Sequence, residues 1–377
     1  MRSVQSLRSP EPHYASLQEQ TMNSSDVLAH RLCNQKLSAP DFDEPAGVVR
    51  WFGAMQAQDF NAAKWGLALR MREPANAVIE SAYNEGQILR THVMRPTWHF
   101  VAPEDIRWLL QLTAPRVNVK CGPNYRKLEL DAASFRRSNK VIAKALKGGK
   151  HLTRSALKTL LNRSGIAADD PVRVGHILLR AELDGVVCSG PMAGKQFTYA
   201  LLEERVCATR TLNRDEALAK LARCYFTSHG PATVQDFVWW SGLTVADANH
   251  GIEMIDRDLR KEMVEEKCYL RSSRSVRAIG YSTHLLPAFD EYNVAYKARE
   301  MIVDRRASVD TWSLLGPTII VDGRAVGSWK REGTRTSMII TLNMSNGLKK
   351  FENLAIRAAA ERYAAFLGVS SQIQLTH

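Results

Sequence analysis

A chain of 377 residues with 45% hydrophobic side chains and eight Trp can bury several cores, so two to four compact units are expected. Its 51 basic against 39 acidic residues give a net charge of +12, a balance that suits a polyanionic partner. No apolar run approaches the roughly 18–20 residues of a membrane span, and residues 1–21 hold two Arg but no apolar stretch, so neither an anchor nor a secretory signal is expected.

Residues 1–21 are expected to be disordered or an over-extended start, because helical patterning begins only after Met22, with Asn23-Ser24-Ser25-Asp26 as its cap. Asp26 to Lys36 reads as a helix with Val27, Leu28 and Leu32 on one face. Glu44 to Met55 follows, with Val48, Val49, Phe52 and Met55 inward, and stops at Gln56-Ala57-Gln58-Asp59. A helix around Ala75 to Asn84 leads to a hairpin, Ile88 to Met94 and Thr97 to Val101, turning at Arg95-Pro96. Strands of β-branched and aromatic residues around a Pro-containing turn read as the wing of a winged helix. This wing carries Arg90, His92, Arg95 and His99, and Glu104 to Leu112 closes the unit as a further helix.

Between Arg107 and Arg163, fourteen Lys or Arg face only Glu129 and Asp131, so this segment alone carries +12. Such runs often keep connectors soluble. The concentration here favours a phosphate-tracking strip beside a groove, with a basic connector over about 113–138.

The pattern then recurs. Asn139 to Leu146, Thr153 to Leu161 and Arg173 to Asp184 read as helices, and Val186 to Pro191 with Gln196 to Leu201 as a second wing. A third unit has helices at Asp215 to Ser228, Thr233 to Trp240 and Val245 to Ile255, the last two joined by the tight turn Ser241-Gly242-Leu243-Thr244. Strand-like Met263-Val264 and Cys268 to Leu270 follow. After Thr283 to Tyr292, apolar and then acidic, strands read Thr318 to Val321, Arg324 to Lys330 and Thr336 to Leu342, with Asp322-Gly323 a two-residue hairpin turn. An amphipathic helix from Leu348 to Leu367 seals this module. The expected fold class is α+β: winged helices over 22–138, 139–212 and 213–275, then a β-barrel-like module over 276–377.

Several chemistries lack their residues. No GxGxxG, HExxH, GxSxG or zinc-deaminase signature occurs, and Gly190 to Lys195 has three residues between its glycines where a phosphate loop needs four. The six cysteines include no CxxC pair, so a reducing, cytoplasmic compartment with no metal and no cofactor is expected.

Five stretches occur in a recognisable order: Met55-Gln56-Ala57-Gln58-Asp59, Arg90 to Val101, Ser241-Gly242-Leu243-Thr244, Leu286 to Tyr292 and Val321 to Lys330. Together they resemble the AlkZ/YcaQ winged-helix family over about residues 22–370. The resemblance implies tandem winged helices in a C-shape and a monofunctional DNA glycosylase excising alkylated purines, some from interstrand crosslinks. It also implies a monomer acting on double-stranded DNA that carries alkylated bases. The family's catalytic motif, Gln, a hydrophobic residue, then Gln or Asp, falls on Gln56-Ala57-Gln58 and matches the Gln-x-Gln branch.

A purine alkylated at N7 or N3 is positively charged, so its glycosidic bond is already weak and little base catalysis is needed. Two Gln amides can orient water and hold the sugar or lesion. Residues i and i+2 share a face only in extended structure, so the helix break at Gln56 matters. Without the resemblance, Gln-x-Gln reads as polar surface. Asp59 is a rival, as a general base or as a helix cap. Arg90, Arg95 and His99 on the wing, and Arg324 and Lys330 beside the later hairpin turn, are candidate DNA contacts or ordinary solubilising charges. Asp290 and Glu291 form a second polar pocket or satisfy nearby donors, and Trp239-Trp240 reads as core. The competing function is a winged-helix transcription regulator or architectural DNA binder, which reads duplex sequence rather than a lesion.

Overall fold

The structure, a computed structural model, describes residues 22–277, 280–304, 313–334, 336–345 and 347–376; the expectation for residues 1–21 lies outside them. Helix α1 (Ser24–Asn34) starts at a reciprocal cap, Asn23 accepting from Ser25 and Asp26 while Asp26 answers the Asn23 N–H. Helix α2 (Pro45–Phe52) ends at Gly53, whose φ of 76° suits a residue without Cβ. Strand β1 (Met55–Gln56) follows at once. Asp59 then caps α3 (Phe60–Ala68), a helix missed in the sequence because Ala63 to Ala68 are buried consecutively and leave no stripe to read. Helix α4 (Asn76–Glu85) leads to β2 (Leu89–His92) and β3 (Trp98–Val101), and the three strands pair in the order β1-β3-β2.

The expected basic connector is a correction. Helix α5 runs unbroken from Ile106 to Lys127 through Pro115 and Pro123, and α6 (Ala132–Leu146) starts soon after from an Asp131 cap. An interior proline costs about 3 kcal/mol in a helix. Burial of Leu110, Ala114, Val117, Cys121 and Tyr125 along one stripe offsets that cost. Strand β4 (His151–Thr153), helices α7 (Arg154–Arg163) and α8 (Pro171–Leu183), strands β5 (Val187–Ser189) and β6 (Thr198–Leu201) and short α9 (Leu202–Arg205) complete the second unit. Its sheet order, β4-β6-β5, repeats the first, strand for strand.

A third set comprises α10 (Arg214–Ser228), α11 (Val234–Ser241), α12 (Val245–Glu253) and the hairpin β7 (Leu259–Val264) with β8 (Lys267–Ser272). The turn between α11 and α12 seats against the turn between β2 and β3. A Cβ on Gly242, at φ 70°, lies only 2.3 Å from the Met94 carbonyl oxygen, so glycine is required there.

The last module holds β9 (Thr283–Leu286), α13 (Glu291–Val294), β10 (Thr318–Val321), β11 (Arg324–Gly333), β12 (Ser337–Met344), α14 (Lys350–Leu367) and β13 (Ser370–Thr376). The expected barrel is corrected to an open five-stranded sheet, β13-β12-β11-β10-β9, with β13 parallel to β12 and the two edge strands at opposite ends. Closure is replaced by α14: Tyr363 meets Trp65 of α3 and Trp329 of β11 with ring centroids 5.0 and 4.8 Å apart. Trp329 donates to the Leu286 carbonyl within the module, and Trp65 donates to the Leu285 carbonyl of β9, which ties the module to the first unit. The fold is thus mixed α+β, and no described helix is long and apolar enough to cross a membrane.

Candidate active site

Gln56 pairs with His99 across β1 and β3, and the Ala57 N–H donates to the Trp98 carbonyl at 2.8 Å. The strand thus ends at Gln56, Ala57 continues its pairing by one hydrogen bond, and the chain bends at Gln58, so the two amides do not share one strand face. Thr97 Oγ1 donates to Gln56 Oε1 at 3.3 Å, and the Trp98 N–H to Gln58 Oε1 at 3.3 Å. Each carbonyl end is thereby tethered to the β2–β3 turn region. Gln56 is buried and Gln58 exposed, so only the second amide stands open to a large ligand.

Two charged groups hold this segment by its backbone. Glu291, fully buried, accepts the Gln56 N–H at 2.5 Å, Trp240 Nε1–H at 3.0 Å and contacts His229 Nε2 at 3.2 Å. Burial alone raises a carboxyl pKa, but the His229 contact and the Gln56 N–H hold that of Glu291 down to about 2. On the other side Arg90 donates Nε–H to the Ala57 carbonyl at 2.9 Å and Nη2–H to the Gln58 carbonyl at 3.1 Å. Its guanidinium lies 4.3 Å from the Trp98 ring centroid and 4.8 Å from that of Phe197.

His99 is wholly buried. Its pKa is pushed down to about 3, chiefly by desolvation and then by the Arg95 charge, and Nδ1 lies 3.0 Å from the Thr97 carbonyl. A carbonyl only accepts, so Nδ1 carries the proton and Nε2 keeps its lone pair, with no partner among the described residues. Arg95 is half-buried, and its Nε and Nη2 also lack partners there.

The expected site residues therefore separate. Gln56, Gln58, Arg90 and His99 come together with Arg95 around β1 and β3, but Arg90 and His99 face inward rather than outward from a wing. Arg324 donates to the Met301 carbonyl at 3.0 Å beside a turn docked on α1, where Tyr292 Oη donates to the Gly323 carbonyl. Lys330 is exposed further along β11, 3.2 Å from Glu332, and Arg331 next to it is exposed as well. Asp59 caps α3 through the Ala62 N–H at 3.0 Å, and Asp290 forms a buried two-pronged pair with Arg70 at 2.9 Å. Trp240 is core, whereas Trp239 is 42% exposed.

Gln58 and Asp59 open onto a cavity of about 760 Å³ whose wall includes Lys195 of the β5–β6 turn. Lys195 also lines a neighbouring cavity of about 670 Å³ with Asn61, Arg331 and Thr334, so the β11–β12 hairpin overlooks the same cleft. Only the glycine-bracketed turn that imitates a phosphate loop pointed to Lys195 in the sequence; nothing pointed to Arg331. Among the described residues no cluster of three or more His, Cys, Asp or Glu side chains is placed to hold a metal ion.

A family model described as DNA glycosylase AlkZ-like matches residues 49–366. An interstrand DNA cross-link repair glycosylase of Streptomyces sahachiroi is 24% identical over 327 residues, covering 81% of this chain and 86% of that relative. The solved structure of the Streptomyces sahachiroi DNA glycosylase AlkZ is similar in fold, with a TM-score of 0.77 at 21% identity, over 94% of this chain and all of that one.

Proposed function

The chain belongs to the AlkZ-like DNA glycosylase family, and from that membership we propose that it excises alkylated purines from duplex DNA, crosslinked ones included, with Gln56 and Gln58 as catalytic residues. The observation that carries this is the Gln56-Ala57-Gln58 segment at the end of β1, held by its backbone and leaving the Gln58 amide beside a large cleft.

In the reaction the bond between C1′ and the purine nitrogen breaks, and the purine keeps the electron pair, which neutralises its charge. A water oxygen bonds C1′, and its surplus proton passes to solvent. The leaving group is already good, so the protein's task is to hold the lesion and aim the water, which amides do without changing charge. Glu291 and Arg90 fix the Gln-x-Gln backbone from opposite sides, and neutral His99 adds an unprotonated acceptor behind it. Arg95 and Lys330 are assigned to the phosphate backbone. Arg90, His99 and Arg324 are assigned to internal support.

The strand order shared by the first two units supports winged helices over 22–138 and 139–212; a third over 213–275, with helices and the β7–β8 hairpin, and 276–377 as a fourth unit, in a C around duplex DNA, complete the proposed architecture. A monomer in the cytoplasm, where the six free cysteines would stay reduced, completes the proposed setting.

The test is alkaline cleavage of a duplex carrying N7-methylguanine. Wild type is expected to leave abasic sites, and Gln58→Ala to lose at least a hundredfold in single-turnover rate while binding undamaged duplex normally. Full activity in Gln58→Ala and none in Asp59→Asn would transfer the chemistry to the carboxylate.

A further inference from the structure

Arg95 is poorly satisfied for a guanidinium beside the Gln-x-Gln segment. Its Nε and Nη2 are buried and find no partner among the described residues, and Arg299, beyond α13, has the same defect at Nη1. A buried donor without an acceptor is costly, so each of these atoms points to a ligand that brings one.

The fold gathers more charge at this point. The Arg95 stem lies along the α11–α12 turn, its Cγ 3.7 Å from where a Cβ on Gly242 would stand, and Arg116 of α5 donates Nε–H to the Gly242 carbonyl at 2.8 Å. Lys120 follows Arg116 by four residues, one turn further along the same helix face, and is exposed. Burial lowers the Arg95 pKa against the pull of Glu291, and the Arg299 charge adds to the lowering. Lys120 is lowered by burial and then by the charges of Arg116 and Arg95. The carboxylates nearby are already committed or turned to solvent. Glu291 holds the Gln56 N–H and Trp240, Asp247 holds Arg214, and Glu300 is exposed next to Arg299 in the chain. Cations from the β2–β3 turn, from α5 and from the last module thus stand together, and a shared anion relieves their repulsion.

We infer that Arg95, Arg299 and Lys120 form a site for one phosphodiester of the DNA strand beside the lesion, and that this phosphate, by fixing the β2–β3 turn, positions both glutamine amides. The inference rests on the excision reading above and deepens it, since Arg95 there meets the backbone without a stated place or consequence. A phosphodiester brings two charged oxygens that accept from guanidinium and ammonium donors alike. The route to the amides is short. The Thr97 N–H donates to the Arg95 carbonyl at 2.7 Å, Thr97 Oγ1 donates to Gln56 Oε1, and the Trp98 N–H donates to Gln58 Oε1. An anion that immobilises Arg95 therefore stiffens the segment from which both amides are held, which is catalysis by positioning. Arg116 is spent on the Gly242 carbonyl and contributes charge alone.

The experiment replaces single phosphates by neutral methylphosphonates, one position at a time. Affinity is measured by anisotropy on a duplex with a tetrahydrofuran abasic analogue, and single-turnover excision on an N7-methylguanine duplex. One position beside the lesion is expected to weaken wild-type binding about tenfold, more than its neighbours do. At saturating protein the same replacement is expected to slow excision at least tenfold. The double variant Arg95→Gln with Arg299→Gln is expected to bind the native and the replaced duplex alike, and Lys120→Gln, at an exposed position, to narrow the difference. Both variants are expected to keep the wild-type response at all other positions, which a folding defect would not spare. Equal sensitivity at every position, or a sensitive position that the variants leave unchanged, overturns the site while wild-type excision keeps the glycosylase reading. An unchanged excision rate at saturation overturns the positioning role. A sensitive position erased by the double variant, in a protein that excises nothing, supports the phosphate site and overturns the proposed reaction.

Discussion

Glu291 and His99 show how differently two buried titratable groups are treated within one site. The carboxylate is surrounded by donors and keeps its charge, whereas the imidazole faces a guanidinium and gives its charge up. His284, buried in β9, is likewise pushed down to about 3 by desolvation and the charges of Arg362 and Arg70. These depressions fix a pH dependence. In the unfolded chain both histidines take up protons as pH falls through about 6.5, while in the folded chain they stay neutral to about 3. The unfolded state then binds more protons, so stability is complete above pH 6.5 and falls below it, by up to about 1.4 kcal/mol per pH unit for each histidine. Urea unfolding between pH 6.5 and 4.5, where the stabilisation from the depressed Glu291 carboxyl is still present and nearly constant, is expected to show this fall, and His284→Phe to lessen its slope. An unchanged midpoint across that window would contradict the buried neutral assignment. In the sequence, His99 was visible as a wing residue, but its tautomer and burial depend on Thr97 and Arg95 in three dimensions.

At the scale of elements, the parts written in local chemistry were legible. The Asn23 cap, the helix starts at Thr153 and Thr233, the Asp322-Gly323 turn and the strands around Arg95-Pro96 all stand where side-chain type and spacing put them. What could not be read was decided by tertiary burial. Helix α5 keeps two prolines because its apolar stripe is covered, and α3 shows no amphipathic stripe because its second half is enclosed on every side. The barrel failed for a related reason: strand pattern predicts pairing but not which edges meet. The seat of the α11–α12 turn on the β2–β3 turn is the element contact nearest the site. Gly242→Ala is expected to cost about 2 kcal/mol or more, from backbone strain plus displacement of the Met94 carbonyl. Gly149→Ala, at a comparable φ but in open space, is expected to cost only about 1 kcal/mol. Chemical denaturation of the pair separates the two contributions; equal losses would mean that the turns do not press on each other.

For the whole molecule, the basic balance proves to be only partly a statement about ligands. Arg107, Arg116, Arg137 and Arg154, all within the strip expected to track phosphate, each donate to backbone carbonyls elsewhere in the fold. Sequence charge cannot distinguish a cation that closes a helix end from one that waits for DNA. Lys330 and Arg331 on the exposed β11–β12 hairpin are the better positioned for phosphate. The double change Lys330→Ala with Arg331→Ala is expected to weaken binding to undamaged duplex and to lower the slope of log affinity against log salt by about 0.9 for each phosphate no longer neutralised. Fluorescence anisotropy across a salt series measures both quantities, and an unchanged slope would remove this hairpin from the DNA surface.

The hydrogen bond from Gln56 to Glu291 joins residues 235 positions apart. During synthesis the Gln-x-Gln segment emerges long before its anchor, and Lys330 and Arg331 later still. An incomplete or prematurely ended chain thus carries the whole motif but lacks the carboxylate that holds it in place. With Gln56 and Gln58 as the proposed catalytic pair, competence is deferred until the chain has folded end upon end.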